Sequence, residues 1–206
     1  MQPTPRDFWD DRYRNGPAES SGLPGLVLSL FAGPIRPGRA LELGCARGDD
    51  AIWLAAQGWQ VTAVDVSAVA LGYAAGNAAR AGLAGSIRFE EHDLAQTFPA
   101  GRFDLVTASF LQSTQDWPRA RVLARAAEAV GPGGHLLIAE HAAPPPGSTA
   151  AAEAHHPTAD ETLAALHLDP ARWQRLCVCA ITRTGTRPEV RGETVTDNVV
   201  FLQRRE

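Results

Sequence analysis

The segment Arg39 to Ser67, "RALELGCARGDDAIWLAAQGWQVTAVDVS", passes from a short apolar strand through a glycine turn into a helix and out into a β-branched strand. A strand, helix, strand unit with so little connecting chain closes as a right-handed crossover, which commits its strands to a parallel sheet covered by helices. The alternation continues. Ser67 is placed to cap a helix through "SAVALGYAAGNAARAGL" that stops near Gly82, and "SIRFEEHD" and "FDLVTASF" follow as strands. "WPRARVLARAAEAVG" predicts a helix with Pro118 near its first turn, and "GHLLIAEH" a fifth strand.

Ahead of this core, "RDFWDDRYR" and "LPGLVLSLFA" predict two helices lying across the sheet. Beyond His141 the pattern changes to a Pro/Ala/Gly-rich loop, with His155 and His156 expected as exposed loop residues. Two helices follow, "ADETLAALH" and "DPARWQRL" with Pro170 at its first position, then two strands, "LCVCAITRT" and "TVTDNVVFLQRR", joined as a hairpin. With 206 residues there is chain for one domain and one sizeable core, divided into N-terminal helices over 1–33, a central unit over 39–141 and a closing part over 142–206.

Charge excludes some functions. A formal net charge of −4 with scattered Lys and Arg argues against a nucleic-acid partner, and the arginines between Arg119 and Arg125 read as a solvated face. No apolar run approaches the ~20 residues of a membrane-spanning helix. The N-terminal residues lack a basic-then-apolar leader plan, so we expect a cytoplasmic protein without a membrane partner. The three cysteines do not make a disulfide framework; Cys177 and Cys179 fall on one face of a strand and are expected as buried thiols, with no metal site.

In an open parallel sheet, ligands bind outside the carboxyl ends of the strands. Gly44 and Gly48 lie at that edge of the first strand, where they allow a sharp turn and close approach of a ligand. Asp65, about 20 residues further on at the end of the second strand, is placed to reach ribose hydroxyls. A dinucleotide site would hold a pyrophosphate on the helix N-terminus, yet the chain puts Asp49 and Asp50 there. Carboxylates at the mouth would repel phosphate and favour a ligand with a cationic end.

The same residues resemble class I S-adenosylmethionine-dependent methyltransferases. Glu42, Gly44 and Gly48 match the family's acidic and glycine positions, and Ala46 stands in place of the middle glycine, a mild departure. "VDVS", "EHDL", "FDLVTASFL" and "VGPGGHLLIAEH" continue the match in family order, and "FWDDRYRNGP" looks like the opening of the tellurite-resistance and thiopurine methyltransferase relatives. The resemblance implies a Rossmann-like, doubly wound, mostly parallel seven-stranded α/β sheet with a C-terminal antiparallel hairpin and helices on both faces.

It also implies residue roles. Asp65 would accept from both ribose hydroxyls; Asp93 would accept from the adenine amine, with Val66 and Leu94 about the ring and Ser67 beside them. Gly44 and neighbouring backbone carbonyls would receive the methionine ammonium, and Glu42, Cys45 and Gly48 belong to the same cofactor-binding turn. Ser109 and Phe110 would line the methyl end. Trp9 and Tyr13, four residues apart on one helix face, would close the site over the sulfonium. His141 and His92, with Glu140 near them, are candidate proton acceptors from a small-molecule methyl acceptor. A non-catalytic S-adenosylmethionine sensor and an NAD(P)-dependent oxidoreductase are the alternatives.

Overall fold

The computed structural model describes residues 3–113, 117–143, 156–185 and 192–206. Its strands are β1 (Arg39–Leu43), β2 (Gln60–Asp65), β3 (Ile87–Glu91), β4 (Phe103–Ser109), β5 (Val130–His141), β6 (Trp173–Thr184) and β7 (Thr194–Arg204). Its helices are α1 (Pro5–Arg14), α2 (Leu26–Ala32), α3 (Asp49–Ala56), α4 (Ala68–Arg80), α5 (Arg119–Ala129) and α6 (Ala159–Ala165). The strands form one 7-stranded sheet in the order β3-β2-β1-β4-β5-β7-β6. β1 to β5 pair in parallel, whereas β7 runs antiparallel to both β5 and β6. This is the doubly wound sheet and closing hairpin that the sequence predicts.

Helices cover both faces because the strands alternate apolar side chains to each. Leu136 and Ile138 of β5 join Val122 and Leu123 of α5 and Leu163 of α6 in one core. Leu137 and Ala139 join Val27 and Leu28 of α2 and Leu54 of α3 in the other. The chain leaves β1 for β2 and β3 on one side and returns to β4 on the other. The strand order therefore reverses between β1 and β4, and the turns that follow them open a crevice at their carboxyl ends.

Three expectations are corrected. "DPARWQRL" is not a helix: Asp169 accepts the Ala171 N–H at 2.9 Å in a turn, and from Trp173 onward the backbone pairs with β7, whose ladder outweighs the weak helical pattern. Cys177 and Cys179 are not free buried thiols. They are half-buried and bonded to each other, since alternation on one strand face leaves their Cα atoms 6.0 Å apart, within disulfide reach; Cys45 stays free and buried.

The arginines of α5 are a solvated face only in part: Arg121 is exposed, whereas Arg119 and Arg125 are partly buried, and all three bind neighbouring loops. Arg119 pairs with buried Glu140 and donates to the Leu111 carbonyl, Arg121 donates to the Ala95 carbonyl, and Arg125 donates to the Leu94 carbonyl while lying over the Phe98 ring. Most of the loop after His141, His155 included, and most of the hairpin connection lie outside the described residues.

Candidate active site

The turn after β1 is built from left-handed residues. Gly44 has a φ of +74°, which favours glycine, and a Cβ there would come 2.7 Å from Leu111 Cδ1, so that side chain would have to shift. Ala46 also adopts a positive φ, 50°, which costs an alanine roughly 1–2 kcal/mol. The middle position of the motif is thus less neutral than its small side chain implies. That conformation aims the Ala46 N–H at Asp65 Oδ2, 3.0 Å away. Gly48 caps α3, and a Cβ there would come 3.1 Å from Ala74 Cβ, so this glycine serves the approach of α4.

Asp49 and Asp50 do not face the mouth. Asp49 Oδ1 accepts from Ser20 Oγ (2.8 Å), Ser21 Oγ (2.6 Å) and the Gly22 N–H (3.0 Å), and Asp50 Oδ1 accepts from the Gly25 N–H (2.7 Å). They latch the N-terminal segment onto α3. Their charge still reaches the interior: burial, then Asp50, Asp65 and Asp49, hold the Glu42 carboxyl well above the usual carboxylate range. One oxygen of Glu42 is buried without a hydrogen-bond partner among the described residues, and so is the hydroxyl of Thr107, its register partner on β4.

Asp65 ends β2. Its Oδ1 accepts the Ser67 N–H at 2.9 Å, and burial outweighs these backbone bonds to raise its carboxyl pKa. Ser67 is buried, its hydroxyl accepting from Ala70 N and donating to Asp10 Oδ1 at 2.5 Å. Asp10 also accepts the Val69 N–H at 3.2 Å, so α1 is fastened to the N-terminus of α4 through one carboxylate. Burial works against that charge, but Ser67, Val69, Arg14 and Arg6 together keep the Asp10 carboxyl below its ordinary value.

Thus fixed, α1 lays Trp9 and Tyr13, with ring centroids 6.2 Å apart, over a cavity of about 350 Å³. Arg47 lies over the Tyr13 ring at 5.1 Å. Burial, then the neighbouring Asp65 and Cys45, push the Tyr13 hydroxyl pKa far up.

The cavity gathers Gly44, Asp65 and Val66 on one side with His92, Asp93, Leu94 and Phe110 on the other. Asp93 Oδ1 accepts the Ala95 N–H (3.0 Å) and Oδ2 the Gln96 amide (2.7 Å). Glu42, Cys45, Gly48, Ser67, Ser109 and His141 do not line it. Cys45 is enclosed, and burial, then Glu42 and Asp65, drive its thiol pKa well up. His92 lines the cavity, but its nitrogens contact Thr97 Oγ1 at 2.9 Å and Glu90 Oε2 at 3.1 Å.

Glu140 and His141 point to opposite faces of β5. Glu140 is fully buried between Arg119 and Thr162, away from the mouth. His141 stacks on Phe110 with centroids 4.4 Å apart. Phe110 has a φ of +53°, and its N–H donates to the Ala139 carbonyl at 2.7 Å. Asp197 of β7, with no exposed side-chain surface, contacts His141 Nδ1 at 3.5 Å and pairs with Arg183 of β6. Burial opposes ionisation of Asp197, yet bonds from His141 and Arg183 hold its carboxyl below the usual range.

His156, expected in solvent, instead donates from Nδ1 to the His141 carbonyl at 3.1 Å. Sequence reading missed Asp10, Asp197 and His156 because their partners lie 57, 56 and 15 residues away, beyond any local pattern.

The residues present fit S-adenosylmethionine. The Gly44 turn leaves room for a close ligand, Asp65 ends β2 and Asp93 follows β3 with acceptor capacity to spare, and Glu42 keeps an unpartnered oxygen beneath the turn that a cationic group could engage.

A family model described as a methyltransferase domain matches residues 18–177. Among curated proteins, ribosomal RNA small subunit methyltransferase C of Alcanivorax borkumensis is 38% identical over 108 residues, 50% of this chain and 32% of that protein. Demethylmenaquinone methyltransferase of Thermus thermophilus is 36% identical over 116 residues, 54% of this chain and 51% of its own. The matched regions thus span about a third and about half of those relatives.

Among solved structures, a protein from work on the conversion of a disulfide bond into a thioacetal group during echinomycin biosynthesis superposes with a TM-score of 0.72 at 24% identity, covering 97% of this chain and 93% of its own. TehB of Haemophilus influenzae gives 0.67 at 17%, covering 98% and 67%. The N-methyltransferase NodS of Bradyrhizobium japonicum WM9, in complex with S-adenosyl-L-homocysteine, gives 0.62 at 21%, covering 98% and 90%. These likenesses establish the fold, and the family match across most of the chain establishes the rest: the chain belongs to the class I S-adenosylmethionine-dependent methyltransferases.

Proposed function

We propose that the protein transfers a methyl group from S-adenosylmethionine to a small-molecule acceptor. The observation that carries this reading is the aromatic lid: Trp9 and Tyr13 close over the crevice that Asp65 and Asp93 flank, leaving a confined space. Asp65 would hold the ribose, Asp93 the adenine amine between Val66 and Leu94, and the Gly44 turn above Glu42 the ammonium. The bound cofactor supplies an electrophilic methyl on a sulfonium. The chain's part is to align an acceptor atom opposite the sulfur and keep water out, and alignment alone accounts for roughly 7–11 kcal/mol of barrier.

Alignment needs no base; where the acceptor must lose a proton, His92 is the candidate that lines the cavity, its ring nitrogens held by Thr97 and Glu90, while His141 stands behind Phe110. A ribosomal RNA acceptor, as the name of one relative describes for that protein, is disfavoured here by the net charge of −4 and by the α5 arginines, which bind loop carbonyls and Glu140. Calorimetric titration with S-adenosylmethionine, S-adenosylhomocysteine and NAD tests the reading. Binding of the two sulfur nucleosides, lost in Asp65→Ala, supports it; binding of NAD alone overturns it.

A further inference from the structure

We propose that Cys177 and Cys179 are a reversible thiol–disulfide exchange site, opened and closed by low-molecular-weight thiols of the glutathione type. The pair stands apart from the cofactor cavity, which neither residue lines, and so is independent of the methyl acceptor.

Three observations combine. β6 is the outermost strand of the sheet, and both cysteines are half-buried at the margin of the core that α2 and α3 cover, with Val178 between them turned to the opposite core. A small thiol reaches a bond placed there without opening the fold. Next, the bond joins residues two apart in a strand that the β7 ladder already holds. Closing so short a loop takes little freedom from the unfolded chain, so the bond adds little as a staple.

Last, both states fit one backbone. The Cα atoms are 6.0 Å apart, whereas two residues of a relaxed strand span about 6.6 Å, so opening the bond asks for only a small local extension. The register shift between Arg175 and Cys177 leaves Leu176 without a partner on β7, and this bulge beside the bond supplies the slack. The exposed Arg175, two residues before Cys177, favours the thiolate form of an attacking or departing sulfur.

The exchange balances. The thiolate of one glutathione attacks Sγ of one cysteine, the bond between the two Sγ atoms breaks, and its electron pair leaves on the other Sγ, which takes up a proton. A second glutathione thiolate attacks the glutathione sulfur of this mixed disulfide, releasing oxidised glutathione and the second cysteine thiol. Two glutathione thiols are oxidised, one protein disulfide is reduced, and their two protons end on the cysteines. Excess oxidised glutathione runs the sequence backwards.

The test uses full-length folded protein in buffers of graded reduced-to-oxidised glutathione ratio, quenched in acid, alkylated with N-ethylmaleimide in denaturant and read by peptide mass. The peptide carrying Cys177 and Cys179 should gain two alkyl groups as reduced glutathione rises and lose both when oxidised glutathione is restored. In oxidised glutathione, Cys177→Ser and Cys179→Ser should each hold one glutathione on the remaining cysteine, and the buried Cys45 none. Melting of Cys177→Ser/Cys179→Ser should stay within about 3 °C of the oxidised wild type. A pair that remains as two thiols in excess oxidised glutathione, a bond that yields only in unfolded protein, or single variants that take up no glutathione each overturn the exchange site. A larger fall in Tm overturns it in favour of a structural staple.

Discussion

Glu42 shows how a ligand site can be written as a local instability. A buried oxygen without a partner costs about 1–3 kcal/mol, and the Asp residues around it raise the bill further. Its folded pKa lies above the unfolded one, so the folded state holds the proton more tightly. Stability is therefore full below the unfolded carboxylate pKa and declines as pH rises toward the folded value. Glu42→Gln should raise the Tm of ligand-free protein at neutral pH, by an amount that shrinks toward zero as pH falls below the usual carboxylate range. The same variant should weaken S-adenosylmethionine binding, measured by calorimetry.

Ala46 makes a complementary case. With φ at 50°, Ala46→Gly should be neutral to stabilising by up to about 1 kcal/mol in thermal melts, although glycine usually destabilises. Such costs could not be read from residue type: Gly44, Asp65 and Asp93 announce themselves by spacing, but the strain at Ala46 and the isolation of Glu42 exist only once β1, β2 and β4 are side by side.

Among the elements, α1 depends most on a single side chain. Asp10 joins it to the N-terminus of α4, a position where a capping carboxylate is worth about 0.5–2 kcal/mol. Asp10→Ala should therefore leave the sheet intact, speed hydrogen exchange across 5–14, and raise the dissociation rate of S-adenosylhomocysteine more than it lowers the association rate. A variant with normal exchange there would show that the other contacts of α1, the Arg6–Glu91 ion pair and the packing of Trp9 and Tyr13 among them, hold it down.

The elements themselves were largely readable. Periodicity located β1 to β5 and the capped helices, Ser67 included, because each encodes its own start and stop. It failed over "DPARWQRL", where an apparent helix start is overridden by pairing with β7, and over α5, whose arginines look solvated until the loops they bind are folded beside them.

The fold as a whole gives up packing at its ligand edge and should recover it on binding. A ligand that binds only the folded state stabilises by about 2.7 kcal/mol at 100 times its Kd. For a chain of 206 residues that corresponds to a Tm rise of roughly 5–11 °C. S-adenosylhomocysteine should produce such a rise, and NAD none, in a differential scanning experiment. The parallel strand order was inferable because crossovers have one hand, whereas the pairing of His141 with Asp197 required the antiparallel return of β7, which no spacing in the chain specifies.

The arginines of α5 have one more consequence. A single helix grips the loop after β3, through the carbonyls of Leu94 and Ala95, and the loop after β4, through that of Leu111. The two walls share one hinge and cannot loosen separately. Amides in both loops should exchange with a common opening free energy, and Arg119→Ala, though it touches only one wall by that bond, should lower protection in both.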